Sequence, residues 1–285
     1  MSFLVFAACN GVIIDPAKFD TSDRIRRCGT DTHPKSKNGA YRFDGERGWV
    51  YRWDGDMKPI WFGEKPRNLS HQEQSAIDDR RAKTLIHERI ERTKSINRAV
   101  LMLGQCKQAE HNYFEYKGFK EVKGLVTPDG DLFIPMRDWK TNALKGAQII
   151  RWDQNTMKYS KKMLFGMEAS ESVYIMGPKT PRKTILVEGY ATALSVQMAC
   201  AQLCLSVRVV VCFSSGNLVK VAKYFDSAMV YADNDKSGAG LRAAQESGLS
   251  FCMSPTEGHD ANDDHRIHGL RFVSSKIMDG FAAQQ

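Results

Sequence analysis

Four apolar segments in the last hundred residues alternate with stretches of helical periodicity, and this alternation constrains the fold more than any other feature. We predict strands at 184–187, 207–213, 228–232 and 249–253, and helices at 190–204, 218–225 and 238–247. The second segment is β-branched and nearly continuous, which is typical of a strand buried on both faces. The order β-α-β-α-β-α-β predicts an α/β fold whose four-stranded, mostly parallel sheet is flanked by helices.

Acidic side chains follow three of these strands. Glu188 comes after the first, Asp233 and Asp235 after the third, and an acidic stretch at 260–264 after the fourth. In open α/β sheets, ligands bind beyond the carboxyl ends of the strands. Mg²⁺ prefers oxygen ligands and leaves positions to water and substrate phosphates. The acids therefore predict a divalent-metal site for phosphate chemistry.

Each acid taken alone also has a simpler interpretation. Glu188 is compatible with a solvated loop or a helix N-cap, and residues 233–238 are compatible with an ordinary turn. Both motifs occur in the expected order on suitably placed strands, and the acidic stretch at 260–264 follows. Their combination favours a shared site.

Three motifs carry a resemblance to a known family. Leu-Val-Glu-Gly-Tyr-Ala-Thr-Ala at 186–193, Tyr-Ala-Asp-Asn-Asp-Lys-Ser-Gly-Ala-Gly at 231–240 and His-Asp-Ala-Asn-Asp at 259–263 resemble the Toprim domain. More narrowly, they resemble the Toprim domain of phage and plasmid DNA primases, which is related to the catalytic core of bacterial replicative primases. The resemblance implies Mg²⁺ or Mn²⁺ as cofactor. It assigns Glu188, Asp233 and Asp235 to catalysis and to metal binding, with Asp263 as a further metal ligand.

The segment at 132–166 resembles the mixed α/β subdomain that precedes Toprim in primases. By that analogy, several side chains would bind nucleotide or other phosphates: Arg137, Gln148, Lys158, Lys161 and Lys162, with Lys236 from the acidic loop. Asp129 and Gly130 predict a hairpin turn within this subdomain. The simpler interpretation of the lysines and arginine is a solvated basic surface.

Residues 39–63 alternate aromatic and arginine side chains between Gly and Asp turns, which predicts a small antiparallel sheet. One interpretation is that the aromatic rings stack on bases while arginines bind the backbone. Arg42, Trp49, Arg52 and Trp53 are then the candidate DNA-binding residues. The other interpretation is that the aromatic rings form a core. By resemblance, this module is a degenerate zinc ribbon that keeps the sheet and lacks the metal.

Two further segments have local predictions. The apolar stretch at 3–9 predicts a buried strand or docking segment, with a helix as the alternative. Residues 70–108 predict one or two exposed linking helices, in which Ser70 is the N-cap and Glu73 completes a capping box. The seven cysteines include no Cys-x-x-Cys pair, and Cys200 and Cys204 fall within a predicted helix. We expect no zinc site and reduced thiols.

These predictions divide the chain into four parts: a β-rich N-terminal module at 1–67, a helical linker at 68–110, the N-terminal subdomain of a primase core at 111–183 and the Toprim catalytic domain at 184–285. Overall this is an α+β arrangement. The formal net charge of +8 at pH 7 is consistent with binding phosphate backbones. No run of eighteen apolar residues is present, so we expect no membrane span and a location in the cytoplasm of a bacterial host.

The predicted function is a DNA primase that synthesises short RNA primers on single-stranded DNA. The expected partners are the template and nucleoside triphosphates. The sequence has no P-loop motif, so we expect no fused helicase, and the two alternatives are a replicative helicase in trans and a primase that acts independently. A Toprim metal-dependent nuclease and a non-catalytic DNA-binding replication protein remain alternatives. A topoisomerase needs a nucleophilic tyrosine on a further large domain, for which the chain is short.

Overall fold

The computed structural model describes residues 1–55, 58–63 and 71–282. The chain forms two compact units, Met1–Arg81 and Ala82–Gln285. None of the helices within the described residues has the length and apolar character needed to cross a membrane.

The first unit contains a five-stranded antiparallel sheet whose strands pair in chain order. Its elements are α1 (Phe3–Cys9), β1 (Val12–Ile13), a 3₁₀ helix (Pro16–Lys18), β2 (Arg26–Thr30), β3 (Gly39–Phe43), β4 (Gly48–Arg52) and β5 (Ile60–Phe62). The predicted small antiparallel sheet is therefore confirmed. The strand predicted at 3–9 is wrong, because this segment is helical: Ser2 caps it by accepting from the backbone N–H of Val5, and Phe3 and Ala7 are buried one turn apart.

The core of the first unit lies between α1 and one face of the sheet. Phe3 stacks on Phe43 with ring centroids 4.3 Å apart. Tyr41 and Val50, which are cross-strand partners, point into the same core. Because side chains alternate along a strand, the residues next to Tyr41 in β3 and next to Val50 in β4 point to the opposite face of the sheet.

The second unit contains a ten-stranded mixed sheet within the described residues. Helix α2 (His71–Gln105) begins in the first unit and ends in the second. The first half of the second unit then comprises β6 (Lys107–Ala109), α3 (Asn112–Tyr116), β7 (Gly124–Val126), β8 (Leu132–Asp138), β9 (Leu144–Asp153), β10 (Lys158–Met163) and β11 (Ser172–Met176). Helix α2 corresponds to the predicted linking helix. The predicted N-cap Ser70 and the side chain of Glu73 lie outside the part of the chain that is described.

The second half of the unit has the predicted β-α alternation. It comprises β12 (Lys183–Val187), α4 (Tyr190–Gln202), β13 (Val207–Val211), α5 (Ser215–Ala222), β14 (Met229–Ala232), α6 (Ala239–Ser247), β15 (Ser250–Met253), α7 (Ala261–His268) and α8 (Leu270–Ala282). The main strand order is β10-β9-β8-β11-β13-β12-β14-β15, in which the last four strands are parallel. The four-stranded parallel sheet is confirmed, and it forms one end of the larger mixed sheet.

Two helices have boundaries that differ from the prediction by more than one residue. Helix α5 begins three residues earlier than the predicted 218–225, because Ser214 Oγ accepts from the backbone N–H of Asn217 and caps the helix. Helix α4 ends at Gln202, so Cys204 lies beyond it with a φ of 53°. In β13, Val209 and Val211 pack into one core while Val210 packs into the other, which confirms that this strand is buried on both faces.

Candidate metal and nucleotide site

The acidic side chains are brought together by two adjacent parallel strands. Val187 at the end of β12 pairs with Tyr231 near the end of β14. Glu188 follows the first strand at once, and Asp233 follows the second after Ala232. Both acids therefore leave the same edge of the sheet, as predicted from the strand order.

Asp233 has the most perturbed carboxyl group of this edge. Burial and the neighbouring charges of Asp260, Glu188 and Asp235 raise its pKa to about 8. Its Oδ1 atom is shielded from solvent and has no hydrogen-bond partner in the described part of the chain. Lys161 acts in the opposite direction and lowers the pKa. The carboxyl group of Asp233 is therefore mostly protonated at neutral pH, and a bound cation would favour its ionised form.

Glu188 lies in the same electrostatic environment. Burial raises its pKa, and the charge of Asp235 raises it further. The ammonium of Lys161 and the backbone N–H of Ser215 offset part of this effect. A carboxyl group with a raised pKa is suited to hold or transfer a proton near neutral pH.

Asp235 has a second task at the start of α6. Its Oδ2 accepts from the backbone N–H of Gly240 at 2.8 Å, and its Oδ1 accepts from those of Ser237 and Ala239 at 2.9 and 3.2 Å. Desolvation raises the pKa of Asp235, but these hydrogen bonds outweigh it and hold the pKa below its usual range. Asp235 is therefore ionised, and it is fixed in place by the helix that follows it.

The fourth acid of the cluster is Asp260. It caps α7, because its Oδ1 accepts from the backbone N–H groups of Asn262 and Asp263 at 2.6 and 3.0 Å. Its Oδ2 accepts from Thr192 at 3.2 Å. Asp263, the predicted ligand, instead accepts from the backbone N–H of Asp260 and closes the capping box.

The charge of Asp260 acts on Asp233, so the structure associates Asp260 with this cluster. The sequence prediction named Asp260 only as part of the 260–264 stretch. The signal available in the sequence was that Asp260 is the first aspartate of His-Asp-Ala-Asn-Asp.

The predicted phosphate-binding residues separate into two groups. Side chains alternate along β10, so Lys161 lies on one face of the strand while Lys158 and Lys162 lie on the other. Gln148 shares the face of Lys161, because its cross-strand partner is Met163. The charges of Asp260, Asp233 and Glu188 act on Lys161, which places this ammonium beside the acidic cluster.

Lys161 is exposed, yet the protein around its ammonium lowers its pKa by desolvation, and the nearby charge of Lys117 lowers it further. The remaining two candidates lie in loops or at strand ends. Arg137 donates to the backbone carbonyl of Asn142 at 3.1 Å, and Lys236 is exposed next to Asp235.

The donor set fits a divalent cation that is held jointly with a ligand. Among the described residues, no three His, Cys, Asp or Glu side chains are grouped closely enough to hold a metal ion by themselves. Mg²⁺ commonly uses only one or two carboxylates and completes its shell with water and substrate phosphates. The buried, unpaired Oδ1 of Asp233, surrounded by further acids, is the atom that such a cation would satisfy.

The predicted DNA-binding residues of the first unit lie on opposite faces of its sheet. Trp49 and Tyr51 alternate with the core residue Val50 in β4, so they lie on the outer face, and the ring of Trp53 lies against that of Tyr51 at 4.7 Å. Trp61 pairs with Trp49 across the strands and is 68% exposed. Tyr41, Phe43 and Phe62 belong to the core. The core interpretation is confirmed for Tyr41, Phe43 and Phe62, and base stacking by the outer rings stays a prediction.

The arginines of this sheet are held by neighbouring groups. Arg42 forms a bidentate pair with Asp23, with distances of 2.8 and 2.6 Å. Arg52 lies on the core side of β4 and pairs with Asp31 and Asp54. Arg27, on β2, lies 3.6 Å above the ring of Trp53.

Residues 183–270 match the family model of the Toprim domain, and this part of the chain is a Toprim domain. No curated protein matches the chain. Among solved structures, a DnaG catalytic core matches with 16% identity and a TM-score of 0.37, covering 52% of each chain.

Two further structures also match. One is a DnaG primase catalytic domain bound to single-stranded DNA, with 14% identity, a TM-score of 0.44, and 68% of this chain and 82% of that chain covered. The other is the E. coli primase catalytic core, with 15% identity, a TM-score of 0.37, and 64% of this chain and 59% of that chain covered. The chain thus spans about half the length of the first of these three structures.

Proposed function

We propose that this chain is a DNA primase, which joins ribonucleotides on a single-stranded DNA template and releases pyrophosphate. One observation carries the proposal. The charges of Glu188, Asp233 and Asp260 act on Lys161 at the carboxyl edge of a parallel sheet in a Toprim domain. The acids can bind a metal ion that carries a substrate phosphate. The neighbouring lysine can bind the negative charge that the metal ion does not neutralise.

The acidic residues of this edge would hold Mg²⁺ or Mn²⁺. Asp233 and Asp235 are the ligands we assign, with Glu188 or Asp260 completing the shell. A divalent cation there supplies charge neutralisation and alignment for phosphoryl transfer. Lys161 would bind a phosphate of the nucleotide or of the growing strand, and Glu188 would hold or accept a proton.

The outer face of the N-terminal sheet is our candidate for a second contact with the template. Trp49, Tyr51, Trp53 and Trp61 offer flat rings, and stacking on aromatic rings binds single strands with little sequence preference. Arg27 is stacked on Trp53 and adds a positive charge to this face. Arg42 and Arg52 are neutralised by carboxylates, so we assign them a smaller role than the rings.

The test is a primer-synthesis assay with the full chain, mixed-sequence single-stranded DNA, labelled nucleoside triphosphates and Mg²⁺ or Mn²⁺. Asp233→Asn is the test variant. The matched control is Asp226→Asn, because Asp226 is exposed and precedes the other end of the same strand, β14. Short labelled products from wild type and Asp226→Asn, and none from Asp233→Asn, support the proposal.

Two other results would contradict it. Shortened DNA in a lane without nucleotides would assign the acids to a nuclease. DNA binding that is unaffected by Asp233→Asn, without any product from wild type or from wild type supplied with a replicative helicase, would indicate a non-catalytic DNA-binding protein.

A further inference from the structure

A second set of aromatic rings lies beside the acidic cluster, in the second unit. The ring of Tyr116 lies 5.6 Å from that of Trp152 and 5.4 Å from that of Tyr159, measured between centroids. We call Tyr116, Trp152 and Tyr159 the ring platform. Tyr113 lies beneath it, edge-on to Tyr159 at 4.9 Å, and is fully buried. The platform therefore rests on the core but is not part of it.

The backbone explains why these rings adjoin. Trp152 and Tyr159 are cross-strand partners in the antiparallel pair β9 and β10, so their side chains lie on one face. Tyr116 is the last residue of α3, and its ring packs against those of Trp152 and Tyr159 from the solvent side. Its side chain is 45% exposed, whereas Trp152 and Tyr159 are half-buried. The platform thus extends from the interior of the unit to its surface.

Two lysines flank the platform, and neither forms a direct ion pair among the described residues. The Nζ atoms of Lys117 and Lys161 lie 5.8 and 5.4 Å from the ring centroid of Tyr159. Within the described residues neither lysine has a carboxylate oxygen within 4.0 Å. The charge of Lys117 acts on the ammonium of Lys161 and lowers its pKa. A phosphate between them would relieve this repulsion.

The plane of the Tyr116 ring is tilted by 58° against that of Trp152 and by 73° against that of Tyr159, so Trp152 and Tyr159 hold Tyr116 in place and leave its ring open to solvent. We propose that the exposed ring of Tyr116 stacks on a base of the single-stranded DNA template, and that Lys117 and Lys161 bind the adjoining phosphate. This inference rests on the proposed function and names the residues that would guide the template towards the acids. A base with a phosphate could also come from a free nucleotide. The arrangement favours a strand because Tyr116 is open to solvent, while Lys161 leads on from the rings to the acidic cluster.

The position of Lys161 connects the platform to the reaction site. Its ammonium lies beside Tyr159 on one side and acts on the acids Asp233, Glu188 and Asp260 on the other. A strand that stacks on Tyr116 would therefore reach the acidic cluster by passing Lys161. This order places the platform immediately before the site of synthesis.

The test compares Tyr116→Ala with Tyr116→Phe in the full chain. Dissociation constants for a labelled single-stranded DNA are measured by fluorescence anisotropy without nucleotides, at one fixed salt concentration. Base stacking on an aromatic side chain predicts that Tyr116→Ala weakens binding about 5- to 150-fold. Tyr116→Phe keeps the ring and should bind like wild type. Thermal melting of both variants verifies that the fold is retained.

A second variant tests the phosphate contact. Removing one phosphate contact to a single strand should reduce the slope of log affinity against log salt concentration by about 0.7. We expect this change in Lys117→Gln and not in Lys120→Gln, whose exposed lysine is three residues away. An unchanged slope in Lys117→Gln would overturn the phosphate contact.

A third measurement distinguishes the template from a free nucleotide. Titration calorimetry with a nucleoside triphosphate and Mg²⁺ should give the same affinity for wild type and Tyr116→Ala. If Tyr116→Ala weakens nucleotide binding but leaves DNA binding unchanged, the platform is a nucleotide site and the inference is wrong. Unchanged binding of both ligands would also overturn it.

The DNA-binding readout separates this inference from the proposed function. Loss of DNA binding in Tyr116→Ala, in a protein that makes no primers, supports the platform and contradicts the primase. Primer synthesis together with wild-type DNA binding by Tyr116→Ala supports the primase and contradicts the platform.

Discussion

Asn262 Nδ2 donates to the backbone carbonyl of Lys117 at 2.9 Å, which joins the helix that follows Asp260 to the turn at the end of α3. The same amide donates to Ser195 Oγ on α4 at 3.3 Å. Asn262 is fully buried. One side chain therefore links the acidic cluster to the segment that carries the ring platform.

Replacing this amide should destabilise the protein. In Asn262→Ala, the Lys117 carbonyl and the Ser195 hydroxyl each lose a donor, and leaving a buried polar group unpaired costs about 1–3 kcal/mol. We expect a decrease of that size in the free energy of unfolding, measured by urea denaturation. The control is Asn155→Ala at an exposed turn, which should change it by less than about 0.5 kcal/mol. Equal effects of both variants would contradict the linking role.

Asp233→Asn should stabilise the metal-free protein. The pKa of Asp233 is raised to about 8 in the fold, so the folded carboxyl stays protonated where the unfolded one has ionised. The metal-free wild type therefore loses stability as pH rises from about 4 to about 8, and the slope ends above that. Asn does not titrate. At pH 8 the metal-free variant should therefore melt at a higher temperature than metal-free wild type, and its stability should lack this decrease between pH 4 and pH 8.

Metal addition should reverse that order. A cation bound only by the folded protein raises its stability by mass action, by about 2.7 kcal/mol at one hundred times the dissociation constant. We expect Mg²⁺ or Mn²⁺ to raise the melting temperature of wild type and a chelator to remove the gain. Asp233→Asn should not respond, whereas Asp226→Asn should respond as wild type does. A metal-dependent rise in Asp233→Asn equal to that of wild type would exclude Asp233 as a ligand.

Gly240→Ala should disrupt the site through the backbone. A Cβ atom at Gly240 would lie 2.1 Å from the carbonyl oxygen of Asp233, far inside van der Waals contact. We expect loss of activity and of stability, because the end of β14 must move. Gly104→Ala is the matched control in α2, where the added Cβ meets nothing within 4 Å. That variant should be about as stable as wild type or gain up to about 1 kcal/mol of helix propensity. Wild-type synthesis by Gly240→Ala would show that this contact does not position Asp233.

The first unit should be sensitive to acid through Asp54. Desolvation raises the pKa of this carboxyl, but hydrogen bonds from Thr30, Thr32, His33 and Arg52 outweigh it and hold the pKa well below its usual range. The stabilisation is therefore complete above the unfolded pKa of about 4 and is lost as pH falls further. Asp54→Asn should lower the stability of this unit at pH 7 and flatten its dependence below pH 4. Tryptophan fluorescence during urea unfolding at pH 7 and pH 3 measures both effects, and an unchanged pH dependence in the variant would argue against this network.

The apolar runs of the second unit identified its parallel strands, because a strand buried on both faces must be apolar nearly throughout. Helix boundaries were less accurate. Apolar periodicity does not show that Ser214 caps α5, and it does not show that residues 3–9 pack as a helix against the first sheet. These boundaries depend on individual hydrogen bonds and on tertiary contacts.

The sequence by itself determined the order of the strands and the acids that follow them, because parallel strands joined by helices end at one edge of a sheet. The tertiary structure decided which side chains meet there. It associated Asp260 with Asp233, used Asp263 as a capping residue, and directed Lys161 to the acids while Lys158 and Lys162 face away. It also divided the N-terminal aromatic residues between core and outer face. Strand alternation makes such a division necessary, but only the packing of α1 on one face decides which rings are buried.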